Sequence, residues 1–205
     1  MTCQKANFEI LQGKTFSRIV RWESTPLIYK PVTAIAQSGP VAITALVHGV
    51  PDGWRAAVVS AGGMRQINAK RWPLTDDDFH QATVQDSNTV TFNDTNAGSY
   101  TAYTSGGSLV YYTPVSLAGF TARMQIRSTQ SDPTILASLV SGVAAPLTGI
   151  TIDDSAKTIT LLISATDTAA FTFLAGVYDL ELVSPLGVVT QLLAGSIVVT
   201  DEVTR

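Results

Sequence analysis

Residues 177–199 leave the chain few options. Residues 177–183 and 188–199 are two apolar, β-branched-rich runs, and Ser184-Pro185-Leu186-Gly187 stands between them. Pro185 suits the second position of a turn, where φ is near −65°, and Gly187 accepts the positive φ that closes one. A β-hairpin is therefore expected at this end of the chain, with a charged tip beyond its second strand.

The same two-residue period recurs upstream. Phe16, Arg18, Val20 and Trp22 alternate with Ser17, Ile19 and Arg21, as a half-buried strand requires. Further strand-like runs cover residues 41–47, 56–59, 82–85, 89–92, 109–113, 121–127, 149–152 and 158–163. Turn chemistry separates them: Pro51-Asp52-Gly53, Ala61-Gly62-Gly63, Asp86-Ser87-Asn88, Ser105-Gly106-Gly107 and Asp153-Asp154-Ser155. Many short strands with such punctuation predict a mainly β protein of sandwich or barrel type. Helix is confined to two short candidates. Residues 133–140 would be capped by Asp132 with Pro133 at the first helical position, and residues 164–170 by Ser164 or Thr166.

Pro31 and Pro114 bracket a stretch with its own opening and closing strands. Two units are expected: a discontinuous β-sandwich of residues 1–31 plus 114–205, and an inserted small β-barrel or sandwich module of residues 32–113. An insertion is tolerated where its ends lie close together, so residues near 31 and 114 are expected to be neighbours.

Charge and composition narrow the function. Of the 205 residues only 14% are charged, and the net charge is −3, against about 25% charged in an average soluble domain. Such a quiet surface suits a protein partly covered by neighbours. It lacks the basic stripe of a nucleic-acid binder, so no nucleic-acid partner is expected. Arg65, Lys70 and Arg71 with Trp72 are the densest basic group, and a solvated loop accounts for them. The single cysteine, Cys3, forbids an internal disulfide and removes any dependence on an oxidising compartment. No apolar leader opens the chain and no run approaches a membrane span, so synthesis in a cytoplasm and no membrane partner are expected.

No motif demands chemistry. Gly13-Lys14-Thr15 has the ending of a phosphate loop, but Phe8 stands where its first glycine belongs and a strand follows instead of a helix. Asp76, Asp78 and His80 would share one face of a strand and can ligate a divalent metal. No second ligand cluster completes the set, and a solvated turn is the preferred reading. His48-Gly49 follows a strand without a matching activated serine; Tyr103 occupies the first glycine position of a nucleophile elbow around Ser105. His48 is expected to be a turn residue bonded to backbone. Trp22 and Trp54 sit in strand context and are expected in the core. Trp72 precedes Pro73 in a polar loop and is the plausible exposed anchor. Interfaces favour Trp and Arg, so Arg71 and Trp72, with Arg65, are the candidate interface residues. No catalytic residue, metal or cofactor is expected.

Several ordered segments carry a resemblance. Gly13-Lys14-Thr15-Phe16 with Trp22, then Leu117-Ala118-Gly119-Phe120-Thr121-Ala122-Arg123-Met124-Gln125-Ile126-Arg127, then Ile150-Thr151-Ile152-Asp153, residues 158–163 and the 164–170 helix lead into Tyr178-Asp179-Leu180-Glu181-Leu182 and the closing Glu202-Val203-Thr204-Arg205. This series resembles the N-terminal β domain of upper-baseplate and tail-fibre-anchoring proteins of tailed bacteriophages, and it covers about half of the chain. The insert carries residues 40–44, His48-Gly49, Gly53-Trp54-Arg55, Gly63-Met64, Ile67-Asn68 and residues 103–107. It resembles a phage tail module likened to a small β half-domain of ubiquitin-activating enzymes. That likeness concerns the fold, since the insert has no cysteine for thioester chemistry, and its polar 70–78 loop is longer than the usual one. The resemblance implies a non-enzymatic virion component of the tail, collar or baseplate. Its partners would be copies of itself in a ring and other tail proteins such as fibres or spikes. A module binding a bacterial surface glycan and a head-decoration protein are the alternatives, and a hydrolase is the weakest reading.

Overall fold

The computed structural model describes residues 4–143 and 145–202; Cys3 and the closing Val203, Thr204 and Arg205 lie outside them. In chain order the strands are β1 (Gln4–Lys5), β2 (Phe8–Leu11), β3 (Phe16–Val20), β4 (Glu23–Pro31), β5 (Ala34–Ile35), β6 (Val41–Thr44), β7 (Arg55–Val59), β8 (His80–Val84), β9 (Thr89–Phe92), β10 (Ser108–Pro114), β11 (Thr121–Arg127), β12 (Ala137–Val140), β13 (Gly149–Asp153), β14 (Thr158–Ile163), β15 (Ala175–Val183) and β16 (Val189–Thr200). One short helix, α1 (Ala165–Ala169), and two single 3-10 turns, Arg65–Ile67 and Asp76–Asp78, complete the described elements. The protein is mainly β, as the alternating runs predict.

The chain divides into two compact units: residues up to Trp22 together with those from Ser116 onward, and the inserted Glu23–Val115. In the first unit β1 and β2 both pair in parallel with β16, followed by β15, β11 and β12 in antiparallel order. A second sheet of β13, β14 and β3 faces the same core. The alternation of β11 sends Ala122, Met124 and Ile126 inward. β14 contributes Ile159, Leu161 and Ile163, and β15 contributes Tyr178, Leu180 and Leu182. These side chains, with Phe16, Leu193 and Ile197, make one cluster between the sheets. At the terminal hairpin, the Gly187 N–H donates to the Ser184 carbonyl at 2.8 Å and Gly187 has φ +79°. Gly195 marks where the link from β1 to β2 crosses β16. A Cβ there would meet the Ala6 carbonyl oxygen at 1.8 Å, so no larger residue fits.

The second unit is one antiparallel sheet in the order β4-β10-β7-β8-β9-β6-β5. It curls about Trp54, Phe92, Tyr111, Met64 and Ile43. Trp54 is fully buried and its indole N–H donates to the Tyr112 carbonyl at 3.0 Å. Trp22 belongs to the other core, edge-on to Phe120 with ring centroids 5.9 Å apart.

Three expectations need correction. The seam falls between Trp22 and Glu23, not after Pro31: β4 runs along β10, with Tyr29 opposite Val110 and Glu23 opposite Pro114. The insert's ends do meet, but Pro31 faces Ser108 at the far end of the ladder. Prolines suit β4 because it is an edge strand, where missing N–H groups cost no ladder bond. Residues 133–140 are not helical. The Asp132 carboxylate accepts from the Thr134 N–H at 2.8 Å and from the Ser128 hydroxyl, which makes a turn. The chain then enters β12, where Leu139 opposes Met124 and points inward. The open edge of β11 outweighs the local capping signal, because pairing satisfies its backbone and buries Leu139. The other helix forms as expected: the Ser164 hydroxyl accepts from the Asp167 N–H at 3.1 Å. The Thr168 hydroxyl ties it to the Lys14 carbonyl at 2.8 Å.

Candidate functional site

Gly13 sits in a turn with φ +72° and β3 follows it, so Gly13-Lys14-Thr15 does not open a helix. The Asp76, Asp78 and His80 side chains serve three separate ends. Asp76 pairs with Arg55 at 2.8 Å. Asp78 accepts from the Thr75 N–H and hydroxyl at 2.9 Å and from the Lys70 N–H at 2.8 Å. That donation, from the Thr75 backbone first and Lys70 next, holds its carboxyl below the ordinary range. His80 Nδ1 lies 2.9 Å from Asp94. Among the described residues no three such groups converge on a metal position.

His48 is structural, as expected of a turn residue. Its Nδ1 accepts the Val50 N–H at 2.9 Å, so the proton sits on Nε2, which donates to the Asp86 carbonyl at 2.9 Å. The His48 carbonyl in turn accepts the buried Tyr111 hydroxyl, and burial pushes that phenol up. Ser105 bridges by backbone to Gly62, whose N–H donates to the Ser105 carbonyl at 2.8 Å. Arg55 is likewise structural: its guanidinium contacts Glu23 and Asp76 and lies over the Phe79 and Tyr112 rings. Burial disfavours its charge, but the two carboxylates outweigh that and raise its pKa.

Two features remain that can meet other molecules. One is a cleft of about 330 Å³ in the insert, lined by Gln66, Lys70, Arg71, Asp77, His80 and Tyr100 among others. Its side chains come from the two 3-10 turns, the loop between them, the start of β8 and the residues after β9. His80 is fixed there on two sides. Its ring stacks on Phe92 at 4.8 Å with 16° between planes, and Asp94 holds Nδ1. Burial raises the Asp94 carboxyl, yet hydrogen bonds from His80 and Thr95 leave it below its ordinary value. Arg71 donates to Asp77 at 3.0 Å and to Thr75 at 3.1 Å.

Of the interface candidates, Arg71 lines this cleft. Trp72 is 70% exposed on the same loop, and Arg65 is exposed at the start of the first 3-10 turn. Neither Trp72 nor Arg65 is among the cleft-lining residues.

The other feature is the tip of the terminal hairpin, at and just beyond its turn of residues 184–187. Leu186 is 92% exposed, Val188 61% and Val189 49%. Val189 stands directly opposite Val183, which stands opposite Thr121, so the tip continues onto the solvent face of the sheet. The signal is in the sequence: a turn is normally polar, and here Leu186 within it and Val188 and Val189 directly after it are large and apolar. A shallower depression of about 670 Å³ lies on that sheet face beside Lys5, Arg127 and Asp179. Its one aromatic, Tyr178, is buried and bonded to the Ala6 carbonyl.

No helix of the described residues is long and apolar enough to cross a membrane. No family model matches the chain, and no curated protein is significantly similar to it; the phage resemblance rests on the quoted residues alone.

Proposed function

We propose that this chain is a non-catalytic structural component of a tailed-bacteriophage virion. It would be a tail, collar or baseplate adaptor that assembles as a ring of its own copies and anchors a fibre or spike. The observation that carries this reading is the apolar hairpin tip. Leu186, Val188 and Val189 are all exposed within residues 186–189, a longer apolar run than the exposed Leu46 and Val47 pair of the insert. Clustered apolar exposure of this kind marks a surface that another protein covers. The low charge content agrees with it, as does the likeness of the outer segments to phage anchoring domains. A heterologous contact between the tip of one copy and a separate patch on the next closes into a ring when the rotation closes.

The test is image reconstruction of purified particles together with mass spectrometry of their proteins. Density matching both β units in a ring about the tail supports the reading. Particles without the chain overturn it, and density on the head surface replaces the adaptor with a decoration role.

A further inference from the structure

We propose that the cleft in the insert is a saccharide-binding site, separate from the docking tip. The argument begins with charge. Lys70 and Arg71 line the cleft together with Asp77 and Asp78. A free anion there meets two carboxylates, and a cation meets two basic groups; nothing favours either sign. No trio of metal ligands converges among the described residues. A neutral polar ligand is the class that remains.

The walls then supply what a polyol needs, which is donors and acceptors together. Among the described residues, the Lys70 ammonium and the Tyr100 hydroxyl have no hydrogen-bond partner. Gln66 spends its amide N–H on Thr101 at 3.2 Å and keeps its carbonyl oxygen. Asp77 gives one oxygen to Arg71 and keeps the other. His80 Nδ1 faces Asp94, leaving Nε2. Each hydroxyl of a sugar ring both donates and accepts, so it can match this mixture where a pure donor or acceptor cannot.

Two further observations agree. The His80 ring is held by Phe92 and Asp94, and the loop before it is held by the Asp78 carboxylate. The site is therefore formed before a ligand arrives, which lowers the ordering cost of binding. Trp72 does not itself line the cleft, but it follows Arg71, which does, and its exposed indole is a flat apolar face of the kind that covers the C–H face of a pyranose. The cleft is at the small end of ligand sites, near 300 Å³, which suits one or two sugar units.

The experiment titrates the full-length, isotopically labelled chain with glucose, galactose and N-acetylglucosamine, then with maltose and chitobiose, following amide shifts by NMR. The expected result is millimolar binding by at least one of these sugars, with shifts confined to amides around Gln66, Lys70, Arg71, Asp77, His80 and Tyr100. Tighter binding of a disaccharide than of its monomer assigns the site to a glycan chain; equal binding assigns it to a free sugar. Tyr100→Phe and Asp77→Asn should each weaken binding about tenfold, the cost of one lost hydrogen bond to a ligand, while the rest of the spectrum stays in place. Absence of localised shifts with all five sugars overturns the proposal, as does a response to inorganic phosphate or magnesium alone. A Leu186→Asp, Val188→Asp double variant should keep the sugar shifts, so loss of docking and loss of sugar binding are read separately.

Discussion

Replacing Leu186 and Val188 by Asp should abolish self-association and leave the fold intact. Full burial of an aliphatic side chain stabilises by about 1.5–3 kcal/mol. Weighted by the fractional exposures of Leu186, Val188 and Val189, docking of one tip contributes about 3–6 kcal/mol. Association costs about 4–15 kcal/mol in lost translational and rotational freedom. The tip alone is thus marginal, and a stable ring needs contacts on both sides of every copy. The two-residue variant forfeits about 2–5 kcal/mol per contact, and aspartate adds the desolvation of a charge. Affinity should fall by about two to three orders of magnitude or more. Stability should move by no more than about 0.5 kcal/mol, because neither side chain is part of the core. Sedimentation velocity over a concentration series reads the association, and thermal melting reads the fold. A variant that associates as the natural chain does refutes the docking role of the tip; a lowered melting temperature shows that these residues support the hairpin instead.

Three other outcomes follow from geometry. His48→Ala should cost about 2–4 kcal/mol, read by urea denaturation, because it leaves the Val50 N–H and Asp86 carbonyl without their partner and opens a cavity beside Tyr111; an unchanged midpoint would show that water replaces the ring. Gly195→Ala should cost about 1–3 kcal/mol and raise hydrogen exchange along β1 and β2, since the Ala6 carbonyl occupies the space of the new methyl group; unchanged exchange there would contradict the close crossing. Acid should destabilise the protein through Asp94, Asp132, Asp153, Asp154 and Asp167, whose folded pKa values all lie below the ordinary one. A depressed carboxylate stabilises the fold above its unfolded pKa of about 3.9 and loses that contribution as pH falls through the folded value. Melting temperature should therefore hold from neutral pH to about 4 and fall below it, and Asp154→Asn should flatten that fall by removing the carboxylate that binds Lys157 and Leu117.

Strand positions were legible wherever one face is buried, because the two-residue period is then written into the chain; β9, β11 and β14 begin and end where the pattern does. The β4 strand was not, because Glu-Ser-Thr-Pro-Leu-Ile-Tyr-Lys-Pro has no alternation, and only its partner β10 places it in the insert. Residues 137–140 were misread for a related reason: a local cap preceded them, and a distant edge claimed them. The cleft was hidden by distance, since its walls come from separate turns. One part of it was within reach. Ala82 opposes Phe92 and Val84 opposes Val90 in the β8–β9 hairpin; extending that register by two more pairs sets His80 opposite Asp94. Register follows from the turn, so the hairpin register alone brings His80 to Asp94, a pair that the solvated-turn reading of Asp76, Asp78 and His80 does not contain.

The division of the chain has a sharper consequence than its boundaries. Trp54, Phe92, Tyr111 and every other member of the insert's core fall within Glu23–Val115, and the core of the other unit takes nothing from that stretch. Glu23 and Pro114 oppose each other in an antiparallel ladder, and such Cα atoms lie about 4.5–5.5 Å apart. The insert thus leaves and returns at nearly one point. Residues 23–115 expressed alone should melt cooperatively. The remainder, with Trp22 joined to Ser116 by a short Gly-Ser linker, should do the same, since closing a short loop costs little and no core side chain is lost. Calorimetry of the two pieces and of the intact chain is the measurement. Two separate transitions in the pieces support independent cores. Aggregation of the remainder, with the insert still folded, would mean that the sandwich depends on its insertion, and the reading of Glu23–Val115 as a module placed into a complete domain would fail.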